Sequence, residues 1–411
     1  MTTLTSTGYD EPAISEASAA RGEPDWLRER RIEAARAFAA MPNPTRESRQ
    51  WKYTDVSALD FETFPPGSAA ITISGEVPRG DSEYAGAATS LSSATEQWPD
   101  VLRSDLGKLI PATEGKFIAA NAALWDSGVY VHVPKGVSCD DPIVIDIDSR
   151  EGSPVAIFPR LLILAGEQAE VTVVLRLRSG DEPLLVSGVT EIYAHDSARV
   201  KLLIDERWGE QTQDFTTIRS RLGRDADVNV ATIALGGRLV KLTTEALIEG
   251  EGANSVIRGI ALGGGEQHFD FVTLQDHEGP HTASDVAIKA ALAGSSRNIY
   301  YGITRVEETA KGAEANQENR NLLLSEHSKA DSDPVLEILT SDVIRCGHGA
   351  TVGPVDEEAL FYLQSRSLDY RASLQLLVHG FFESVIADMP VEDLRDELRA
   401  AVGAKLSTVE L

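Results

Sequence analysis

Cys346 and His348 are the two residues whose types and spacing most directly indicate chemistry. They lie two positions apart in the run CGHGATVG, and Cys346 is one of only two cysteines in the 411 residues. On an extended strand, side chains two residues apart leave the same face, so a thiolate and an imidazole would lie side by side. Both groups bind iron and other transition metals. Two ligands do not complete a metal site, however, and from spacing alone a buried structural thiol is the more frequent alternative.

Three further residues with metal-binding side chains, Glu326, His327 and Asp331, precede this pair. They are weaker candidates because nothing in their spacing fixes them close to Cys346. The other cysteine, Cys139, is distant in the sequence and is expected to be structural. Two widely separated cysteines do not indicate a disulfide framework, so a reducing compartment is expected.

Two other motifs resemble known sites without meeting their requirements. The run HEGPH from His277 to His281 fits the spacing of zinc proteases. That chemistry needs a helix, and Pro280 inside a helix costs about 3 kcal/mol, so a loop is predicted. The glycines of residues 263–265 lack the Lys and Ser or Thr of a phosphate-binding loop, so no nucleotide site is predicted.

The composition excludes several classes of partner. A formal net charge of −26 at pH 7 disfavours nucleic acid and anionic lipid, both of which are bound by clustered Lys and Arg. No run approaches the roughly 18 apolar residues of a membrane span. Residues 1–20 have neither the basic nor the apolar region of a signal peptide, and they are predicted to be a disordered tail. A cytoplasmic protein is therefore expected.

The region from residue 128 to 355 is predicted to be a β-domain built from a repeat. Short runs of β-branched residues alternate with Gly and acidic turns. An Ala-polar-Val phrase recurs there, with one insertion in its later copies, and its valines are Val171, Val200, Val228, Val256 and Val286. The spacings are 29, 28, 28 and 30 residues, and Val343 falls about two periods further on. A fixed period favours stacked coils, about six of them, over an antiparallel sandwich, which the β-branched residues alone would also allow.

Helical patterns flank this region on both sides. Apolar residues recur at helical spacing from Pro24 to Met41, and prolines and glycines then indicate a loosely structured segment as far as about residue 100. Further helices are predicted after Val355. The expected organisation is a tail at 1–20, an N-terminal helical and irregular domain at 21–127, a β core at 128–355, and a helical domain capping the rod at 356–411.

Several ordered motifs resemble the SufD family of iron–sulfur cluster assembly subunits of the SUF system. They run in the family's order over most of the chain: the Trp51–Asp55 element WKYTD, residues 117–131, residues 321–327, residues 334–338, the Cys346 segment, and Phe361–Arg366. The related SufB family has a glutamate where this chain has Gly349, which favours SufD. Ser367 departs from the glycine usual in the family. If that position is a left-handed helix cap, the serine costs about 1 kcal/mol.

The resemblance implies a mainly β fold, with a right-handed parallel β-helix between α-helical regions. It implies a non-catalytic scaffold that pairs with SufB and binds the ATPase SufC, which would hydrolyse ATP; whether a homodimer forms first stays open. Cys346 and His348 would then bind iron or a nascent cluster shared with the partner. In the family the C-terminal helices dock the ATPase. Phe381 and Phe382 are therefore candidates for that contact, although such residues are more often core.

Two alternatives remain at this point. A β-helix can also be a carbohydrate-active enzyme that uses paired carboxylates, although only 6% of the residues are aromatic and a secretion signal is not evident. The chain could also be a structural spacer of the same complex, in which Cys346 only packs. The spacer and the metal-binding scaffold share their partners and differ only in metal binding.

Overall fold

A parallel β-solenoid of about eight turns forms the centre of the protein, with helices at both ends of the chain. The computed structural model describes residues 8–79, 86–149, 154–389 and 391–409. Strands make up 42% and helices 26%, which confirms the predicted fold class. The predicted six coils were too few.

The helices and strands follow one another in three blocks. The helices are α1 Glu11–Ala20, α2 Asp25–Ala40, α3 Leu91–Gln97, α4 Pro99–Asp105, α5 Lys116–Leu124, α6 Glu357–Ser365, α7 Tyr370–Ile386 and α8 Arg395–Thr408. The strands are β1 Ala70–Ser74, β2 Ala87–Ser90, β3 Gly128–Val133, β4 Ile143–Ser149, β5 Val155–Ile157, β6 Arg160–Ala165, β7 Glu170–Ser179, β8 Leu184–Val186, β9 Val189–Ala194, β10 Arg199–Arg207, β11 Thr212–Leu222, β12 Asp227–Ala234, β13 Leu239–Ile248, β14 Asn254–Gly263, β15 His268–His277, β16 Ala283–Leu292, β17 Arg297–Val306, β18 Ala313–Leu323, β19 Lys329–Ile338 and β20 Val343–Pro354.

The strands form two sheets that face each other across the solenoid lumen, and from β9 onward successive strands alternate between them. One sheet has nine strands in the order β1-β4-β7-β10-β12-β14-β16-β18-β20. The other has eleven, with the main path β19-β17-β15-β13-β11-β9-β6-β3-β2, and the short strands β5 and β8 beside it. All pairs are parallel except β1 with β4 and β2 with β3, which are antiparallel.

The valine repeat is partly confirmed by the strand register. Val171, Val200 and Val228 occupy one rung on neighbouring strands and face the lumen. The register then places Ser255, not Val256, on that rung. The prediction was wrong from there on, because a valine fits either face of a strand whose two faces are both covered.

The repeat has a second signature at one corner of the turns, where a residue adopts the left-handed conformation. Four such residues are not glycine, with φ between 54° and 60°: Gln168, Ser197, Asp225 and His281. The residue after each is small and buried: Ala169, Ala198, Ala226 and Thr282. The N–H of Ser197 donates to the carbonyl of Arg224 in the next turn at 2.7 Å, and the other corners repeat this bond. Hydrogen bonds between turns offset the cost of the strained corner.

The N-terminal domain covers the outer face of the eleven-stranded sheet. The WKYTD element binds there: Trp51 stacks on Phe117, and the Thr54 hydroxyl lies 2.9 Å from His268 Nε2 and 2.5 Å from Asp270 Oδ2. The segment predicted to be loosely structured is therefore anchored, although its elements are short. Helix α2 confirms the helix predicted between residues 24 and 41.

The disordered tail predicted for residues 1–20 differs from the structure. Helix α1 begins after Asp10, whose side chain accepts a hydrogen bond from the N–H of Ala13. Its Ile14 is buried in a small cluster with Ala34 and Ala35 of α2. Residues 1–7 lie outside the described residues, so the prediction for them stays a prediction.

The C-terminal helices lie along the outer face of the nine-stranded sheet and do not cap its end as predicted. The α7 residues Leu374, Val378 and Phe382 are buried in one cluster with Ile233 and Ile260 of the sheet. Strand β19 in one sheet and strand β20 in the other therefore remain at the end of the solenoid, each with a neighbour on one side only among the described strands.

Candidate functional site at the open end of the solenoid

Cys346 and His348 lie in β20, the last strand of the nine-stranded sheet. The register pairs Cys346 with Ala315 and His348 with Gln317, both of which are buried lumen residues of β18. Cys346 thus ends the rung that Val171 begins, and both side chains face the lumen at its mouth. This is the shared strand face that the spacing predicted.

The two side chains differ in their surroundings. Cys346 is half-buried and packs against the cluster of Val306, Ala310 and Ala313, whereas His348 is exposed. Burial raises the pKa of the Cys346 thiol, and a hydrogen bond with the backbone of Ala315 opposes that shift. The thiol is therefore protonated at neutral pH in the isolated chain, and a bound cation would favour the thiolate.

The weaker metal candidates lie elsewhere. Asp331 is on the outer face of β19 and is bound by Arg297. Glu326 and His327 lie in the turn after β18, next to the far end of β20, about 26 Å along the strand from Cys346 at about 3.3 Å per residue. Cys139 is seven strand spacings away, or about 34 Å, which excludes a disulfide with Cys346.

The site is incomplete within the chain. Across the described ranges, no group of three or more His, Cys, Asp and Glu side chains lies close enough to hold one metal ion. Cys346 and His348 would therefore need ligands from outside the described part of this chain, because iron–sulfur species usually take about four.

The lumen changes character towards its mouth. In the turns of β7 to β14 the rungs below Cys346 and His348 are occupied by apolar or small residues. On the rung below His348, Gln317 of β18 is polar, and it belongs with residues of β17 and β19 to a group of buried and half-buried polar residues: Asn298, Thr304, Gln317, Asn319, Asn321 and Ser332. Only spatial neighbours could reveal this group, since each member alone reads as an ordinary strand residue.

The edge around the site carries exposed apolar side chains. Ile344 in β20 is 71% exposed, and Ile338, Leu339 and Val352 are also exposed. Exposed apolar side chains along an unpaired edge are typical of a contact surface for another chain.

The two phenylalanines proposed for the ATPase contact have different positions. Phe382 is fully buried against the sheet, so it belongs to the core and is not available to a partner. Phe381 is half-buried, with Lys289 Nζ 4.8 Å from its ring centroid. The most exposed aromatic residues among those described are Phe361, at 74%, and Tyr362, at 56%, both in α6, followed by Tyr370 of α7 at 49%. Leu360 and Leu363, three residues apart, form the half-buried face of α6, and Phe361 and Tyr362 lie on its other side. This helical spacing is visible in the sequence and could have identified the two aromatic residues as exposed.

The HEGPH run forms no helix, which confirms the predicted loop. His277 ends β15 and lies buried in the lumen, with Nδ1 2.8 Å from Thr282 Oγ1 and Nε2 2.8 Å from Ser284 Oγ. Burial lowers its pKa to about 4, so the imidazole is neutral. His281 occupies a left-handed corner.

Comparison with known proteins shows the broader family to which the predicted SufD resemblance belongs. A family model described as SUF system FeS cluster assembly, SufBD core domain, matches residues 147–381, which is more than half of the chain. The chain belongs to the SufB/SufD family. An iron-sulfur cluster assembly SufBD family protein of Staphylococcus epidermidis is 27% identical over 94% of this chain and 90% of that protein. A SufBD family protein of Staphylococcus aureus strain USA300 has the same identity and coverage.

Membership of the SufB/SufD family places this chain in iron–sulfur cluster assembly by the SUF system. It gives no support to the alternative of a carbohydrate-active enzyme. In the described ranges, no helix is both long and apolar enough to cross a membrane.

Proposed function

We propose that this chain is a SufD-type scaffold subunit, without catalytic activity of its own, in a complex with SufB and SufC. One observation carries the proposal. The last turn leaves β19 and β20 without an outer neighbour among the described strands, and Cys346 and His348 lie at that edge. Unpaired strand edges readily bind another strand. A second β-helix subunit, SufB, is the partner that would continue both sheets and supply the missing ligands.

Iron, or a nascent cluster, is the cargo of this site. Cys346 supplies a thiolate, His348 supplies an imidazole, and the partner subunit completes the coordination. Gly349, which follows His348, supports the SufD type, because the SufB family has a glutamate at that position. A Cβ at Gly349 would meet no atom within 4 Å, so the chain omits a side chain there without a steric need.

The ATPase SufC would bind the exposed aromatic residues of α6, Phe361 and Tyr362. Aromatic residues on an exposed helix face are typical anchors of protein interfaces. Hydrolysis of ATP by SufC would then move α6 and α7 and, through Lys289, the sheet beneath them. The Lys289 Nζ donates to Phe381 O at 2.7 Å and so links α7 with β16.

The test is co-purification of the full chain with SufB and SufC from a host that makes all three. The double variant Cys346→Ala, His348→Ala is expected to lower iron and acid-labile sulfide several-fold while the subunit ratio stays constant. Cys139→Ala is the matched control and should keep both. Unchanged iron in the double variant would contradict the metal role and leave the structural spacer.

The ATPase contact is tested separately. Phe361→Ala with Tyr362→Ala is expected to remove SufC from the purified complex and to leave SufB bound. Retention of SufC at the normal ratio would contradict the assignment of α6.

A further inference from the structure

The backbone of β19 presents alternate residues to its free edge. In a parallel sheet, the N–H and C=O groups of successive residues point in turn to the strands on either side. The N–H of Lys329, which begins β19, donates at 3.1 Å to the carbonyl of Ser296, immediately before β17. The N–H of Leu339, just after β19, donates at 2.8 Å to the carbonyl of Val306, which ends β17. The odd-numbered residues of β19 therefore bond β17, and the even-numbered residues direct their backbone groups outward.

Pro334 occupies one of these outward positions in the middle of β19. Proline has no N–H, and within a sheet it is tolerated on an edge strand where its nitrogen faces away from the neighbouring strand. The outward donors of β19 are thus divided into two short pairs, Ala330 with Ser332 and Leu336 with Ile338. No strand of another chain can form an unbroken ladder along this edge.

The free edge of β20 is continuous. The N–H of Glu314 in β18 donates at 2.9 Å to the carbonyl of Thr282 in the preceding turn, so the next residue, Ala315, directs its backbone groups to β20. Ala315 pairs with Cys346, and in a parallel ladder a residue bonds the two neighbours of its partner. The even-numbered residues of β20 therefore face outward. Their donors are those of Cys346, His348, Ala350 and Val352, which span about 20 Å at about 3.3 Å per residue.

The two edges differ in their protection against pairing. Proline on an edge is one of the means by which proteins prevent the addition of a further strand, and a bulge is another. On β20 the irregularity lies only at the start, at Ile344, and the register with β18 is regular from Arg345 to Pro354. Residues 343–353 contain no proline. Strand β19 thus has the character of a permanent edge, whereas β20 has that of a strand with a neighbour on both sides.

We propose that the partner subunit pairs one of its own strands with β20, from Cys346 to Val352, and forms no continuous ladder with β19. This inference rests on the proposed function, because it takes SufB as the partner. The nine-stranded sheet continues into the partner along the whole of this edge, whereas the eleven-stranded sheet continues at most in short pieces on either side of Pro334. Cys346 and His348 gain backbone hydrogen bonds from the partner, so association fixes the strand that carries them.

A matched pair of proline substitutions tests this assignment. Ala350→Pro removes an outward N–H of β20, and Ala330→Pro removes an outward N–H of β19. The two alanines pair with the buried lumen residues Asn319 and Asn298, so their side chains have equivalent positions. By the alternation above, neither N–H belongs to a ladder within the chain. Both variants are therefore expected to keep the wild-type circular dichroism spectrum.

Titration of each full-length variant with purified SufB measures the affinity. Ala350→Pro is expected to weaken binding about tenfold or more, because a ladder bond is lost and the proline ring lies where the partner strand approaches. Ala330→Pro is expected to weaken it less than about threefold. Equal losses in the two variants, or a larger loss in Ala330→Pro, would overturn the proposal.

Hydrogen exchange of the wild-type chain provides a readout that requires no substitution and decides the question if Ala350→Pro does not fold. In the isolated chain the outward N–H groups of both strands should exchange rapidly. Addition of SufB is expected to protect the amides of residues 346–352 and to leave the exchange of residues 330–338 nearly unchanged. Equal protection of both strands, protection of β19 alone, or binding without protection of β20 would contradict the assignment.

The same experiments separate this inference from the proposed function. If the wild-type chain does not bind SufB, the proposed function fails and the pairing of β20 fails with it. If the wild-type chain binds and the two proline variants bind as tightly as each other, only the pairing of β20 is overturned.

Discussion

The two ends of the solenoid differ in whether their terminal strand edges are covered. At the first end, the short antiparallel strands β1 and β2 cover the edges of β4 and β3. At the last end, β19 and β20 have a neighbour on one side only among the described strands. The first end is thus covered by this chain itself, whereas the last end leaves the outer backbone groups of β19 and β20 open to solvent or to another chain.

The apolar side chains follow the same contrast. Ile71 and Ile73 of β1 pack against the main core cluster, whereas Ile344 of β20 points into solvent. Natural proteins usually protect an exposed edge with charges, bulges or a cover. Strand β20 has a register shift at Ile344 and the charged Arg345 beside it, so this edge is only partly protected, and its exposed apolar side chains fit the interface proposed above.

The largest expected effect is on association with a partner chain at the last end of the solenoid, where β19 and β20 lie. Ile344→Lys places a charge in the proposed contact and should weaken binding of the β-helix partner about 100-fold or more, because an interface buries such a charge unpaired. Titration of the purified chain with its partner measures the affinity.

Ser74→Lys is the control at the covered end, because Ser74 is an exposed residue of β1. It should leave the affinity unchanged. Equal losses in both variants would show that the two ends do not differ in function.

The second effect concerns the closed lumen between the two ends. Glu206 and Asp214 are fully buried there, and burial together with the Asp214 charge raises the pKa of Glu206. Burial also raises the pKa of Asp214 to about 6, against hydrogen bonds from Thr216 and Trp208. The unfolded value is about 3.9, so the folded state binds more protons between about pH 4 and 6, and the free energy of unfolding falls as pH rises through that range.

Glu206→Gln removes one of these acids and should raise the free energy of unfolding at pH 8 by about 1–3 kcal/mol. The difference in stability between pH 5 and pH 8, measured by urea unfolding, should also become smaller. The exposed Glu182→Gln serves as control and should change neither quantity. An unchanged pH dependence in Glu206→Gln would show that the pair does not titrate as its burial requires.

The third effect compares one isoleucine from each end in the isolated chain. Ile73→Ala removes methyl groups that pack against the core and should lower the free energy of unfolding by about 1–2 kcal/mol. Ile344→Ala removes exposed groups and should change it by less than about 0.5 kcal/mol. Thermal unfolding of both variants measures the difference. A larger loss for Ile344→Ala would mean that the last end is covered in the isolated chain.

The smallest effect concerns the helix that follows the bare edge. Ser367 follows Arg366, the C-cap of α6, and has φ of 72°, as expected for a residue in the place of a glycine cap. Ser367→Gly should therefore raise the free energy of unfolding by about 1 kcal/mol. Ser365→Gly, inside the helix, should lower it. The same sign for both would exclude relief of backbone strain as the cause.

The sequence predicted the features that depend on local pattern. The rung of Val171, Val200 and Val228, the helix at α2 and the strand face shared by Cys346 and His348 all follow from periodicity. The left-handed conformation of Ser367 entered only as a condition, through the glycine usual at that position in the family, and the structure meets that condition.

The features that the sequence did not predict depend on how the helices pack against the sheets and against one another. Phe382 and Phe361 are equally apolar, and only packing against the sheet decides that the first is buried and the second exposed. Helix α1 is too short to be stable alone and depends on its contact with α2. The exposure of the last strands, β19 and β20, could not be predicted, because periodicity does not show whether the helical domain packs on the end of the solenoid or along its side.

The left-handed corners give the solenoid a natural unit of length. Each turn enters and leaves such a corner with the same backbone conformation, as at Ser197 and Asp225, which are 28 residues apart. Gain or loss of one complete unit would leave the hydrogen bonds of the remaining turns intact, since each unit contacts only its neighbours. The length of the solenoid can thus change in evolution by steps of about 4.8 Å, while its covered start and its exposed last strands are both preserved.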